Sequence, residues 1–284
     1  MTNSLCREPL DRLARFAFDW APATCGSDSP CRDYHQSWSV IRHLQRGGAL
    51  PAGAQEFAAA ARQRLDAGGR PRVLISGAAD TGILAMLTVG LGDDLRRCEL
   101  FMIDRCRTPV LQNMLFAEAA GLSLTATATD VLACAYGNMD LIYGHNFLLF
   151  FDPEARAALF RKWASQLAPG GEICLMQSIS KDGRGWQGTP PADISLKAAE
   201  LSAAARAGGY SASESDALGV VVERLWSAMP VTHPLTESEL QHLCAGAGLA
   251  VTSMVSLDEE FSSPLQVTAA APNNRRIIMI GRGN

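Results

Sequence analysis

The chain has 284 residues, with 25 Lys and Arg against 29 Asp and Glu, and the resulting net charge of −4 leaves no broad basic field for gripping nucleic acid. Hydrophobic residues make up 48% and charged ones 19%, which excludes a disordered chain and supports one large α/β domain with an additional segment, or two small domains. No apolar run reaches the roughly 18 residues that a membrane span needs, and Met1-Thr2-Asn3-Ser4-Leu5-Cys6-Arg7-Glu8 lacks the order of a secretory leader, so a cytoplasmic protein is expected.

Residues 1–70 read as an N-terminal helical extension. Leu10, Leu13, Phe16 and Ala17 recur at helical spacing, and Trp20-Ala21-Pro22 with the Gly/Ser/Pro-rich stretch 26–30 is expected to break that helix. A second helix is predicted over 33–46, with Trp38 and Ile41 inward, and a third over 54–66, closed by Gly68-Gly69. Within the second, Tyr34 and Trp38 are four residues apart, share one face and are placed to close over a ligand or pack in a core.

From residue 72 the rhythm changes to alternating strands and helices, which predicts a parallel sheet covered on both faces. Strands are expected at 72–76, 98–104, 123–127, 139–143 and 172–176, with helices at 81–90, from 108 to 121 and at 153–166. Between 180 and 234 the alternation stops. Gly183, Gly185, Gly188 and Pro190-Pro191 lead into Ala-rich helical patches at 193–207 and 214–228, read as a helical cap whose Trp186 and Trp226 either line a pocket or pack. Thr236-Glu237-Ser238-Glu239 has the capping-box form and opens a last helix, followed by strands at 249–256 and 275–281; Arg275-Arg276 reads as a solvated strand end. The expected architecture is α/β, a doubly wound, mostly parallel seven-stranded sheet with an antiparallel last strand, spanning 71–284 around the insertion.

In such sheets ligands lie beyond the carboxyl ends of the strands. The first of these ends is a strand running into small residues, Gly77-Ala78-Ala79-Asp80-Thr81-Gly82, where a backbone is free to approach a ligand. Asp104 ends the second strand and is placed to accept hydrogen bonds from ribose hydroxyls, with Arg105 next to it. Asp130 and Val131 follow the third, and His145 and Asn146 follow the fourth. Asp80 reads either as a ligand-binding carboxylate or as a cap for the next helix. The eight cysteines are scattered, Cys25 and Cys31 have five residues between them, and no further Cys/His pair completes a zinc-finger spacing, so reduced thiols and no metal are expected.

This ordered set, over 72–180 with the tail 236–281, resembles the class I S-adenosylmethionine (SAM)-dependent methyltransferases. Val73 to Gly82 resembles the family's glycine-rich first loop, Thr129-Asp130-Val131 its adenine-side acid, and Leu167-Ala168-Pro169-Gly170-Gly171 its turn before the fifth strand. The resemblance implies SAM as cofactor, with Gly77, Ala79 and Gly82 along its methionine and ribose part, Asp104 at the ribose, and Asp130 and Val131 at the adenine; from their own positions, Ala78, Asp80, Arg105, His145, Asn146 and Tyr34 are further candidates to touch the cofactor. It implies methyl transfer to an O or N atom of a small-molecule substrate; the residues themselves offer His145 and His35 as candidate bases, the charge and apolar runs lead to no nucleic-acid or membrane partner, and the chain is compatible with a homodimer.

The loop departs from the family in having Ile75-Ser76 where an acid is usual and Ala79 where a second glycine is usual. The departure motivates a rival that consumes SAM by closing a ring in its amino-acid arm. A non-catalytic SAM-binding or partner-binding protein is another. Gly77-x-Ala79-x-x-Gly82 with Asp104 also approaches the dinucleotide fingerprint, but Ala79 obstructs a pyrophosphate and the Pro-Gly-Gly turn favours the methyltransferase reading over a nicotinamide-dependent reductase.

Overall fold

The computed structural model describes residues 8–26, 29–46, 53–134, 136–181, 183, 190–228, 235–257 and 275–283. Its strands are β1 (Arg72–Ser76), β2 (Glu99–Asp104), β3 (Leu124–Ala128), β4 (Met139–His145), β5 (Leu167–Ser180), β6 (Leu235–Thr236), β7 (Leu249–Ser256) and β8 (Arg275–Arg282). They form one sheet in the order β3-β2-β1-β4-β5-β8-β7, with the short β6 beside the end of β5. β8 runs antiparallel to both β5 and β7, and the pairings among β1 to β5 are parallel. The expected seven strands are therefore present, joined by a two-residue strand that carries no sequence signal.

Alternation along β1 decides which layer each side chain joins. Val73 and Ile75 enter the core on one face with Phe57, Leu84, Met86 and Phe116, while Leu74 enters the other with Leu159, Phe160, Trp163 and Leu240. The first layer holds α3 (Ala54–Asp66), α4 (Gly82–Leu91) and α5 (Arg107–Ala120); the second holds α6 (Pro153–Gln166) and α9 (Glu237–Gly246). Each wholly buried aliphatic side chain contributes about 1.5–3 kcal/mol relative to exposure. Asp152 caps α6 by accepting from the Ala155 N–H at 2.8 Å, with Pro153 at the first helical position. Thr236 caps α9 as expected, but Glu239 reaches to Arg156 on α6 at 2.6 Å instead of closing the box.

Two expectations at element ends are corrected. Pro169-Gly170-Gly171 does not precede β5 but lies within it, where Met139 pairs with Leu167 and Leu141 with Glu172, so that the intervening residues bulge from the ladder. Arg275 is not solvated; it is buried at the start of β8.

The remaining helices form a cap. They are α1 (Leu10–Thr24), α2 (Ser29–Arg46), α7 (Pro191–Ala207) and α8 (Ala212–Ala228). Ala14, Phe18, Val40 and Ile41 from the first pair pack with Ile194, Leu201, Leu218, Val222 and Trp226 from the second, so the first two helices of the extension share one core with the insertion, while α3 packs on the sheet. Trp226 packs within it; Trp186 lies outside the described residues, as do Gly185 and Gly188.

α1 does not break at Trp20-Ala21-Pro22 but continues to Thr24 with Pro22 inside it. Proline removes the donor that would have satisfied the carbonyl four residues earlier, that of Phe18. Gln36 on α2 supplies the missing donor, its side-chain amide reaching the Phe18 carbonyl at 3.0 Å. Among the described residues no helix is long and apolar enough to cross a membrane.

Candidate cofactor site

The strand order reverses between β1 and β4, and the loop from Gly77 to Gly82 and Asp104 lie beside that switch point. Gly77 leaves β1 with φ of +74°, and its N–H donates to the Ile103 carbonyl at 2.8 Å. A Cβ at this position would fall 2.2 Å from Cε2 of Phe147, so both the left-handed backbone and the space require glycine. Ala78 then donates its N–H to Oδ2 of Asp104 at 2.9 Å, while Cys106 donates its N–H to Oδ1 at 2.7 Å. Two backbone donors thus fix the plane of a carboxylate at the end of β2. Burial pushes that carboxyl above its ordinary range, against the pull of His35 and of the two N–H donors.

Ser76 occupies the position before the glycine, and it is fully buried. Its Oγ accepts from the Trp163 indole N–H of α6 at 2.9 Å, satisfying both groups. The unusual residue therefore belongs to the packing of β1 on α6. Asp80 is likewise committed within the protein: Oδ1 accepts from the Gly82 N–H at 2.8 Å at the start of α4, and Oδ2 accepts from Nε of Arg42 at 2.6 Å. Arg42 also donates to Glu8 through Nη1 and Nη2, and Thr81 donates to the same Glu8 carboxylate. Burial opposes the charge of Arg42, but Asp80 and Glu8 together hold its guanidinium above the ordinary value. This buried ion-pair network binds α2 to the first loop. Sequence reasoning saw Asp80 but missed Arg42, which follows the inward Ile41 and offers the counter-charge a buried acid requires.

Farther along the sheet ends, the Thr129 N–H donates to the Asp104 carbonyl at 2.9 Å, bringing β3 and its following turn beside β2. Asp130 is exposed and accepts from the Leu132 N–H at 2.8 Å; Val131 is buried in the core, whereas the Leu132 side chain is exposed beside the acid. His145 is half-buried at the end of β4. Asn146 takes φ of +46° and ties that end to β5, donating its N–H to the Met176 carbonyl and accepting from the Ser178 N–H at 2.9 Å. Ala79 is half-buried in the loop and Arg105 is exposed.

The cap supplies the opposite wall. Tyr34 stacks on Trp38 with ring centroids 5.6 Å apart and meets the edge of the exposed Phe150 ring at 5.8 Å. Burial, with Asp80 and Asp104 nearby, raises its phenol well above the ordinary value. His35 does not face the strand ends freely: it is buried, with Nδ1 3.4 Å from Sγ of Cys25 and 3.7 Å from Sγ of Cys31. Cys106 completes this group, 2.8 Å from Cys25 between sulfurs. No linear spacing announced the cluster, because its fourth member comes from the β2–α5 connection. A depression of about 430 Å³ between α1 and α5, lined by Phe16, Trp20, Leu111 and Leu115 among others, includes none of the strand-end residues.

No protein-family model matches the sequence, and no curated protein matches it. Solved structures do resemble the fold. The structure of mitomycin 7-O-methyltransferase aligns with a TM-score of 0.54 at 12% identity, covering 97% of this chain and 69% of that one. An O-methyltransferase from neocarzinostatin biosynthesis, in complex with S-adenosylmethionine and 2-hydroxy-5-methyl naphthoic acid, aligns at 0.53 and 14%, covering 93% of this chain and 60% of that one. Magnesium protoporphyrin IX methyltransferase from Synechocystis PCC 6803, with bound SAH, aligns at 0.51 and 14%, over 95% and 100%. This chain therefore spans only part of the first two structures but the whole of the third, and its fold is similar to that of these SAM-dependent methyltransferases.

Proposed function

We propose that the protein transfers the methyl group of SAM to an O or N atom of a small molecule. The observation that carries the reading is the Asp104 carboxylate, oriented by Ala78 and Cys106 beside a turn that only glycine can make, at the switch point of the sheet. Each Asp104 oxygen retains acceptor capacity beyond its backbone partner, enough for two ribose hydroxyls. The exposed Asp130 and Leu132 offer an acceptor and an apolar surface to an adenine. The likeness to O-methyltransferases supports the same reading at the level of fold.

SAM, when bound, supplies an already activated methyl group, so the chain need only align the acceptor, exclude water and remove a proton where the acceptor carries one. His145, half-buried at the end of β4, is the proposed proton acceptor. Tyr34 and Phe150 would form the aromatic wall against which a flat acceptor lies. The ring-closing alternative drew its motive from Ile75-Ser76 standing where an acid is usual; Ile75 packs in the core, and the bond to Trp163 accounts for Ser76 by packing.

Asp104→Ala should weaken SAM and S-adenosylhomocysteine binding by about 1–3 kcal/mol in calorimetry. Unchanged affinity in a folded variant would overturn the assignment. Product mass spectrometry with phenolic and amine acceptors then decides between O- and N-transfer, and release of methylthioadenosine from SAM alone would return the ring-closing reading.

A further inference from the structure

Cys25, Cys31, His35 and Cys106 bring one donor atom each to a common centre, all within 4.8 Å of one another. We propose that these four side chains bind one zinc ion, which clamps the helical cap to the sheet. Three thiolates and one imidazole are a soft tetrahedral donor set of the kind zinc takes in closed structural sites.

The placement follows from local structure. Cys31 and His35 are four residues apart on α2 and therefore share a face, Cys25 ends α1, and Cys106 precedes α5. With zinc–sulfur bonds of about 2.3 Å and a zinc–nitrogen bond of about 2.0 Å, a tetrahedron has sulfur–sulfur edges of about 3.8 Å and sulfur–nitrogen edges of about 3.5 Å. The contacts of His35 Nδ1, at 3.4 and 3.7 Å, match the latter. Cys25 and Cys106, 2.8 Å apart, need to separate by about 1 Å, a movement within reach of side-chain rotation.

Surrounding groups suit the charge of such a centre. The Thr108 hydroxyl lies 2.9 Å from Sγ of Cys25 and in turn 2.7 Å from the Thr24 hydroxyl, a chain that orients a donor toward a thiolate. The N-terminus of α5, immediately after Cys106, stabilises negative charge at sulfur. Among the described residues, the small buried apolar cluster at this corner is made of Ala21 and the cysteines themselves. With four protein donors the coordination sphere is complete, so the ion acts by cross-linking three elements and does not open a position to substrate. Because the Cys106 N–H orients Asp104, the ion also steadies the proposed ribose acid; this consequence alone rests on the proposed function.

The full chain, untagged and purified in reductant with zinc, should retain about one zinc per chain after dialysis, measured by plasma mass spectrometry. Cobalt substitution should give the absorption of a tetrahedral thiolate centre, and chelation should lower the melting temperature of the unsubstituted protein. Cys31→Ser and His35→Ala should lose the metal, while Cys98→Ser and Cys134→Ser keep it. The proposal fails if the reduced, folded wild-type protein holds less than about 0.2 zinc, if Cys31→Ser and His35→Ala bind zinc as before, or if peptide mapping finds Cys25 and Cys106 joined as a disulfide in the native protein. Metal content does not depend on SAM, so a zinc-bound protein that fails to bind SAM would sink the methyltransferase reading and leave the metal site standing.

Discussion

Around β1 and β4 the side chains that meet across layers are aliphatic and aromatic, and nearly all are shielded from solvent. At the joint between the cap and the sheet they include Arg42 with Asp80 and Glu8, Gln112 with Ser39 and the Leu13 carbonyl, and three cysteines with a histidine. Apolar burial is non-directional, whereas a buried ion pair or donor set requires each specific partner in place. The sheet is thus a general scaffold, and the cap is keyed to it at a few points.

Breaking one of those keys should have the largest effect. Arg42→Met leaves Asp80 and Glu8 buried without their cation, and should cost about 3–5 kcal/mol in urea unfolding. Hydrogen exchange should rise in α1 and α2 while β1 and β4 stay protected; uniform loss of protection would mean that cap and sheet are one cooperative unit. In the sheet, Leu74→Ala should cost about 2–5 kcal/mol by leaving a cavity between β1 and α6, with protection falling across the whole sheet.

Ser76→Ala tests a buried polar link between β1 and α6. It strands the Trp163 N–H and should cost about 1–3 kcal/mol, and in a double-mutant cycle with Trp163→Phe the double variant should lose less than the sum of the two single losses. No coupling between the two substitutions would show that the bond adds nothing. The smallest effect is expected at Asp216, paired with Arg206 on the cap surface with 65% and 53% of the side chains exposed. Asp216→Asn should change stability by less than about 0.5 kcal/mol, so a larger loss would show that surface charge also holds the cap.

The same contrast explains what could be read from the sequence. β1, β7, α3 and α6 coincide with their expected spans, and in β1 the apolar run is buried almost throughout, so the sequence pattern reports burial directly. Gly77 and Asp104 were visible because each sits where a strand ends. Arg42 and Cys106 were not: each acquires its role only when distant segments meet, from α2 to the first loop and from α5 to α1. Asp80 was read as either a cap or a ligand group; it caps Gly82 and pairs with Arg42, which only the tertiary structure supplies. Pro22 misled for a related reason, since the donor that lets α1 continue comes from another helix.

That donor also restricts how the first two helices can meet. Sliding α2 by one turn along α1, about 5.4 Å, would carry the Gln36 amide away and leave the Phe18 carbonyl with neither its helical partner nor a substitute. An interface of alanines and leucines alone would tolerate such slippage. The proline thus converts a sliding surface into a lock with one position, and the placement of Tyr34, one turn before Trp38 and facing the strand ends, is inherited from it.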